Sequence, residues 1–326
     1  MSQQTTSPHF SIDRAASDYL RAVAIILVIL SHLLYGKFDW ISTQAASLMG
    51  TGGVSIFLLL SGYGLYCSWQ SKGMDGKSYW SGKLRKVFLP YMIITALYWL
   101  YLLWIGVSLK GDVLLENLLC IDFDRNMDGT MWYMSFLLIW YFLFFLLFYF
   151  NWPTPAKIGL LLAFGFAFRS HWLKETFAGC AWQFHIHAYT FPLGVLMGWG
   201  MDLANRKLKD VSVGWKNAAA WVLAGISLVC YVLGCMGILT LAEWQSGVLL
   251  FIVLYRALRL LPRKLPVLAQ IGSCSFILYL LEGKLIGFVS RFATFNARPW
   301  LYLTVYAFAL AASVILYRFC ENRLNR

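Results

Sequence analysis

Long apolar runs, broken by short polar stretches, set the pattern of this chain. A run of about 20 apolar residues is long enough to cross a bilayer as a helix. Ten runs approach that length, over residues 20–36, 52–69, 87–108, 131–150, 157–169, 187–201, 214–236, 239–256, 268–290 and 300–319. The apolar positions neither alternate as in strands nor follow a heptad. The pattern therefore predicts an all-α polytopic membrane bundle of about ten transmembrane helices. The fifth run is short and leads into a charged, His-containing stretch, which suggests a tilted or broken helix. One transmembrane domain is expected over 20–319, with polar segments 1–19 and 320–326 at its ends.

Composition excludes the soluble alternative. Charged residues make up 13% of the 326 positions, where a soluble domain carries about 25%. The chain also holds 15 Trp and 18 Tyr, residues suited to anchoring helices at membrane interfaces. Residues 1–17 are polar, with no apolar stretch and no cleavage site of the kind a secretory leader needs. The first run is accordingly expected to remain as an anchor.

Charge then orients the bundle. With the N-terminus inside, 7 of the 27 Lys and Arg fall in outer segments: Lys37, Lys110, Arg125, Arg169, Lys174, Arg291 and Arg298. Lys284 lies within a span, and the remaining 19 fall in inner segments. This is the bias of the positive-inside rule, so both termini are expected to be cytoplasmic. The net charge of +12 then reflects topology, not a nucleic-acid surface. The seven cysteines show no CxxC or Cys/His spacing, and no metal site is expected. Cys120 and Cys180 both fall in outer segments, where an oxidising environment would let them pair; sequence alone does not give their separation. The outer 109–130 loop carries Asp112, Glu116, Asp122, Asp124 and Asp128. It lacks the Gly and closing Glu of an EF-hand and reads as a solvated acidic loop.

Ionisable residues inside spans are costly and point to function. The first span, DYLRAVAIILVILSH, holds Asp18, Arg21 and His32. At about 100° per residue, the three share one helical face, with Ile25, Val28 and Ile29 between them. Arg21 sits at the cytoplasmic border and His32 about 16 Å deeper. Asp18 is spaced to pair with Arg21 at i,i+3. The second span, GTGGVSIFLLLSGYG, has small residues at Gly50, Gly52, Gly53, Ser61, Gly62 and Gly64, which allow close helix approach in lipid.

An Arg, ten residues and a His in the first span, followed by GxxGVxxFxxLSGY in the second, resemble the membrane acyltransferase 3 family (polysaccharide and glycan O-acetyltransferase type). KLRKVFLPY, TMWYMSFLLIWYFLF, FPLGVLMG, SFILYLLEG and YRFCENRL resemble further motifs of that family in the same order. The resemblance spans residues 14–325. Two positions depart from it: Glu282 stands where the family often has His, and Ser55 where it often has Asp. A buried Glu at a depth close to that of His32 would orient the imidazole and stabilise its cation; the alternative is that it changes the choice of acceptor.

The resemblance implies transfer of an acetyl (acyl) group from cytoplasmic acetyl-CoA, as co-substrate, to a hydroxyl of a cell-surface glycan or its lipid-linked precursor. The setting it implies is a bacterial inner membrane. The inner rim offers Arg21, Lys83, Arg85, Lys86, Arg256 and Arg259 to the donor phosphates; Arg21, Arg85, Lys83 and Lys86 are the expected donor-binding set, with Arg21 and Arg85 foremost because Arg matches phosphate through its planar fork. His32 suits a general base, and a transient acyl-histidine is the variant. Ser61, Trp132, Tyr279 and Glu282 are expected to line the pocket, and His185 and His187 stand where an acceptor would enter from outside. A proton-coupled transporter or flippase of a glycan or small molecule is the alternative, although no inverted repeat supports it.

Overall fold

A computed structural model describes residues 11–35, 41–108, 110–124, 129–170, 176–262, 265–292 and 297–324. Lys37, Arg125, Asp128, Lys174, Arg263, Lys264 and Arg326, used above for topology and the acidic loop, lie outside the described residues, as do the side chains from Glu321 onward. Among the described residues the protein is helical, with no strand. Backbone N–H and C=O groups must be satisfied within the spanning segment in a bilayer, and a helix does this for every apolar run.

The helices are α1 (Arg14–Leu34), α2 (Thr43–Lys72), α3 (Gly76–Lys83), α4 (Leu89–Trp104), α5 (Gly111–Leu118), α6 (Trp132–Tyr149) and α7 (Thr154–Arg169), then α8 (Ala181–His187), α9 (Thr190–Lys207), α10 (Val213–Cys235), α11 (Glu243–Leu258), α12 (Pro266–Val289) and α13 (Pro299–Leu324). A π-helical turn at Leu84–Phe88 joins α3 to α4. Every expected span corresponds to a helix. Among the described residues, seven helical segments are long and apolar enough to cross a membrane: α1, α2, Gly76–Trp104, α6, α10, α12 and Pro299–Cys320. The protein is thus a polytopic helical membrane protein. Helices α7 and α11 have 16 residues each, about 24 Å of rise against a hydrocarbon core of about 30 Å.

Helix α1 starts at Arg14 instead of 20, because polar residues supply its cap. Asp13 accepts a hydrogen bond from the Ala16 N–H at 2.8 Å, which satisfies one of the donors a helix start leaves exposed. In the 109–130 loop, hydropathy missed α5. Just past its C-cap, Cys120 has a φ of 58°, the left-handed conformation usual after a helix C-terminus. The loop is also not solvated throughout: Asp122 is buried and accepts from Asn117 Nδ2 at 2.8 Å. A buried carboxylate needs such a donor; Asp124 is exposed.

The chain forms two compact units, one of residues 1–72 and 189–272, the other of 73–188 and 273–326. In the first, α2 is central and touches α1, α9 and α11. Glycines let these backbones meet. A Cβ on Gly53 would stand 2.6 Å from the Ala24 carbonyl oxygen and 2.8 Å from Val28 Cγ2. A Cβ on Gly62 would strike the Phe191 carbonyl, and one on Gly194 the Leu59 carbonyl. The apolar core there includes Leu20, Ala24, Ile56, Leu59, Leu60, Leu250 and Phe251. In the second unit, α6 buries Phe136, Trp140, Phe144 and Phe148. Phe136 and Trp140 pack edge-on to Phe168 of α7 at centroid distances of 5.8 and 5.3 Å. Cys120 and Cys180 are both buried thiols, with no disulfide between them.

Two outcomes test this packing. Gly62→Ala should destabilise the detergent-solubilised protein by about 1–3 kcal/mol, read as a lowered thermal midpoint. Gly64→Ala, with nothing within 4 Å of its Cβ position, should leave the midpoint level or slightly higher. Burial pushes the Cys120 thiol up to about 12, so at pH 8 it is protonated as well as hidden. Since the thiolate is the nucleophile, maleimide mass labelling should reach Cys120 only after denaturation.

Candidate active site

The first unit holds Asp18, Arg21, His32 and Ser61. The segment around Asp18 is pinned from several sides. Tyr19, buried at its side, donates from its hydroxyl to the Pro262 carbonyl at 3.1 Å and accepts from the Leu265 N–H at 2.9 Å. A Cβ on Gly272, at the start of α12, would strike the Asp18 carbonyl, so only Gly permits that approach. With the backbone held, the Asp18 carboxylate accepts from Arg21 Nη1 at 3.2 Å and lies 3.9 Å from Arg14 Nε. The Arg21 side chain remains 39% exposed while that of Asp18 is 13% exposed. Arg21 is thus aimed by its neighbour yet accessible to an anion.

His32 lies three turns further along α1. Ser31 and Leu33 on either side are buried, whereas His32 is exposed. Ser31 is fixed by close contact with Gly50 of α2, which sets the rotation of that end of α1. Of the residues between Arg21 and His32, Ile25 and Val28 are buried and Ile29 is partly buried. Ser61 is partly buried on α2. Ser55 is fully buried and touches the Cβ position of Gly247 on α11, a contact that favours small groups on both helices.

The second unit holds Lys83, Arg85, Lys86, Trp132, Tyr279 and Glu282. Lys83, Arg85 and Lys86 cluster at the π-helical turn, an irregularity frequent at functional sites. Their side chains differ. Lys83 Nζ stands 4.2 Å from the Tyr141 ring centroid and 5.3 Å from that of Tyr79, and the Tyr79 hydroxyl donates to the Tyr141 carbonyl at 2.8 Å. Arg85 and Lys86 are exposed.

Trp132, Tyr279 and Glu282 belong to one buried region. Trp132 stacks on His187 with centroids 5.3 Å apart and ring planes 9° apart. The Tyr133 ring is 4.9 Å from that of Tyr279, whose hydroxyl donates to the Thr130 carbonyl at 3.3 Å. One helical turn from Tyr279, Glu282 is 0% exposed and accepts a hydrogen bond from the Tyr306 hydroxyl at 3.0 Å. The next residue, Gly283, packs on the Thr130 side chain. Lys284 is buried as well, its Nζ donating to the Leu280 carbonyl at 3.1 Å. Sequence reasoning missed Tyr306 and Tyr133. Both look like ordinary interfacial aromatics, and only the fold sets them against α12. His187 is buried as a stacking partner, whereas His185 meets the Arg169 carbonyl through Nδ1 at 2.9 Å. Among the described residues, no three His, Cys, Asp or Glu converge as a metal-binding group.

Chemically, the first unit supplies an accessible guanidinium held by a carboxylate and an exposed imidazole, and the second supplies a buried carboxyl with a phenol donor. These are groups for binding an anion and for moving a proton. A family model described as an acyltransferase domain matches residues 14–318, from the first turn of α1 into α13. No curated protein and no solved structure matches the chain. With nearly its whole length matched, this polytopic membrane protein belongs to the acyltransferase 3 family.

Proposed function

We propose that the protein is an O-acetyltransferase that takes acetyl from cytoplasmic acetyl-CoA and passes it to a hydroxyl of a cell-surface glycan or its lipid-linked precursor, in a bacterial inner membrane. The observation that carries the reading is α1. An ionisable side chain at membrane depth is costly unless it has work to do, and this helix of an acyltransferase domain keeps His32 exposed while Asp18 holds Arg21 at 3.2 Å.

In the proposed reaction His32 takes the proton from the acceptor hydroxyl as its oxygen attacks the thioester carbonyl. The C–S bond then breaks, and the imidazolium returns the proton to the departing CoA thiolate. Arg21 pairs with a donor phosphate, which Asp18 favours by fixing the guanidinium. Arg85 and Lys86, exposed on the π turn, are further phosphate ligands. Lys83, held over two tyrosine rings, positions that turn. Glu282, with Tyr306 donating to it, is the proposed carboxyl for stabilising positive charge; Ser61 in the first unit, and Trp132 and Tyr279 in the second, are proposed pocket residues.

His32→Ala should abolish acetylation of the surface glycan, measured as acetyl released by mild base from cells, while the protein stays at wild-type level in the membrane. Retained acetylation contradicts the assignment. Arg21→Ala should raise KM for acetyl-CoA about tenfold or more with a smaller effect on the acceptor, since a charge-assisted hydrogen bond is worth about 1.5–3 kcal/mol. Arg85→Gln should shift the same constant in the same direction. Glu282→Gln should lower kcat more than it changes either KM.

A further inference from the structure

The first unit contains a cavity of about 400 Å³ that none of the proposed chemistry uses. Its walls are apolar and come from four helices: Leu59 of α2, Leu193 and Met197 of α9, Ala220 and Leu223 of α10, and Val248 and Phe251 of α11. At one end the lining changes character, to Lys216 and Asn217 of α10 and Tyr255, Arg256 and Arg259 of α11. No carboxylate lines it. Two acidic residues of the same unit are already engaged: Asp202 pairs with Arg206 at 2.6 Å, and Asp13 caps α1.

The cationic end is built. The Arg256 guanidinium lies 4.5 Å over the Trp221 ring, and its Nη2 donates to Asn217 Oδ1 at 3.3 Å. Its Nε is buried and has no hydrogen-bond partner. A buried guanidinium N–H left without an acceptor carries a desolvation cost, and an anion at the rim removes it. Arg259 Nη1 is 3.2 Å from the Tyr255 hydroxyl, which donates to the Ser11 carbonyl at 3.0 Å. These contacts steady the second guanidinium beside the first.

The depth of this end can be read from α10. Trp215, adjacent to Lys216, is 75% exposed, and exposed Trp beside Lys in the first turn of a spanning helix marks the headgroup level. From Arg256 back to Val248 along α11 is about 12 Å by helix rise, so the apolar walls run from headgroup depth into the acyl region. Leu223 lines the cavity while 52% exposed, on a helix where Val222, Ile226 and Val229 are exposed as well.

We propose that this cavity is a binding site for an anionic phospholipid, with its phosphate between Arg256, Arg259 and Lys216 and one acyl chain along the wall of Leu59, Met197, Val248 and Phe251. A soluble phosphate would satisfy the rim and leave the apolar volume without purpose. A zwitterionic lipid would fill the volume and bring a second cation to a rim that already has three. The anionic amphiphile satisfies both. Basic pockets between spanning helices on the cytoplasmic side recognise such headgroups, and this site does not depend on the acyl-transfer assignment.

The test is native mass spectrometry of the full-length protein in detergent, titrated with phosphatidylglycerol or phosphatidylcholine. One phosphatidylglycerol should be retained in preference to phosphatidylcholine. The preference should fall about fivefold for each cation removed, in Arg256→Gln, Arg259→Gln and Lys216→Gln. Ala220→Phe, which fills the cavity and leaves the charges in place, should lower retention of both lipids. Arg259→Gln carries the test if Arg256→Gln lowers the thermal midpoint, because Arg259 is exposed. Equal retention of the two lipids, or an undiminished preference in Arg259→Gln, overturns the proposal. Displacement of phosphatidylglycerol by equimolar inorganic phosphate or acetyl-CoA also overturns it, and assigns the rim to a soluble anion.

Discussion

Helix α2 can occupy the centre of its unit only because its backbone is bare where other helices cross it. Without water to expel between helices, association in a bilayer rests on close van der Waals contact, and Gly53 and Gly62 let α1 and α9 reach van der Waals contact with α2 itself. The approach of α1 fixes its rotation, and that rotation decides which of its residues are buried. Ala24 and Val28 turn into the contact while part of Arg21 stays accessible, and His32, one turn beyond Val28, is exposed where α1 nears its end. Gly272 repeats the device at another point of α1, the backbone of Asp18. The candidate chemistry of the first unit is therefore a by-product of helix packing, with polar groups carried on a helix whose orientation is set by glycines elsewhere.

The second unit solves a different problem. Its aromatic helix α6 packs by ring contacts, and within that apolar setting Glu282 and Lys284 are buried two residues apart. Each is met by a polar atom, the Tyr306 hydroxyl and the Leu280 carbonyl respectively. A buried ionisable group without such partners would be prohibitively costly, which explains why the phenol of α13 lies against α12.

Much of this was legible in the sequence. Hydropathy located each long helix because a spanning segment must be apolar over most of its length, and the glycine-rich second run announced close packing. The Asp18–Arg21 spacing announced its pair through helical periodicity alone. Local polar devices were not legible: the Asp13 cap that starts α1 early, the amphipathic α5, and the burial of Asp122 depend on single hydrogen bonds that hydropathy averages away. The partners of α12 were hidden for another reason. Nothing distinguishes Tyr306 or Tyr133 from the other aromatic residues until the chain folds them against Glu282 and Tyr279. The basic residues Lys216, Arg256 and Arg259 looked like topology signals, and only their convergence on an apolar cavity gives them a second meaning.

The central question for this protein is whether it moves acetyl from CoA through its first helix. Purified protein in detergent, where no gradient exists, can be given acetyl-CoA with water as the surrogate acceptor, and the CoA thiol released by hydrolysis followed over time. Steady thiol release by the wild-type protein, abolished by His32→Ala with the fold intact, is the predicted result. Equal release from both proteins, or no release together with gradient-driven solute uptake in vesicles, would contradict it.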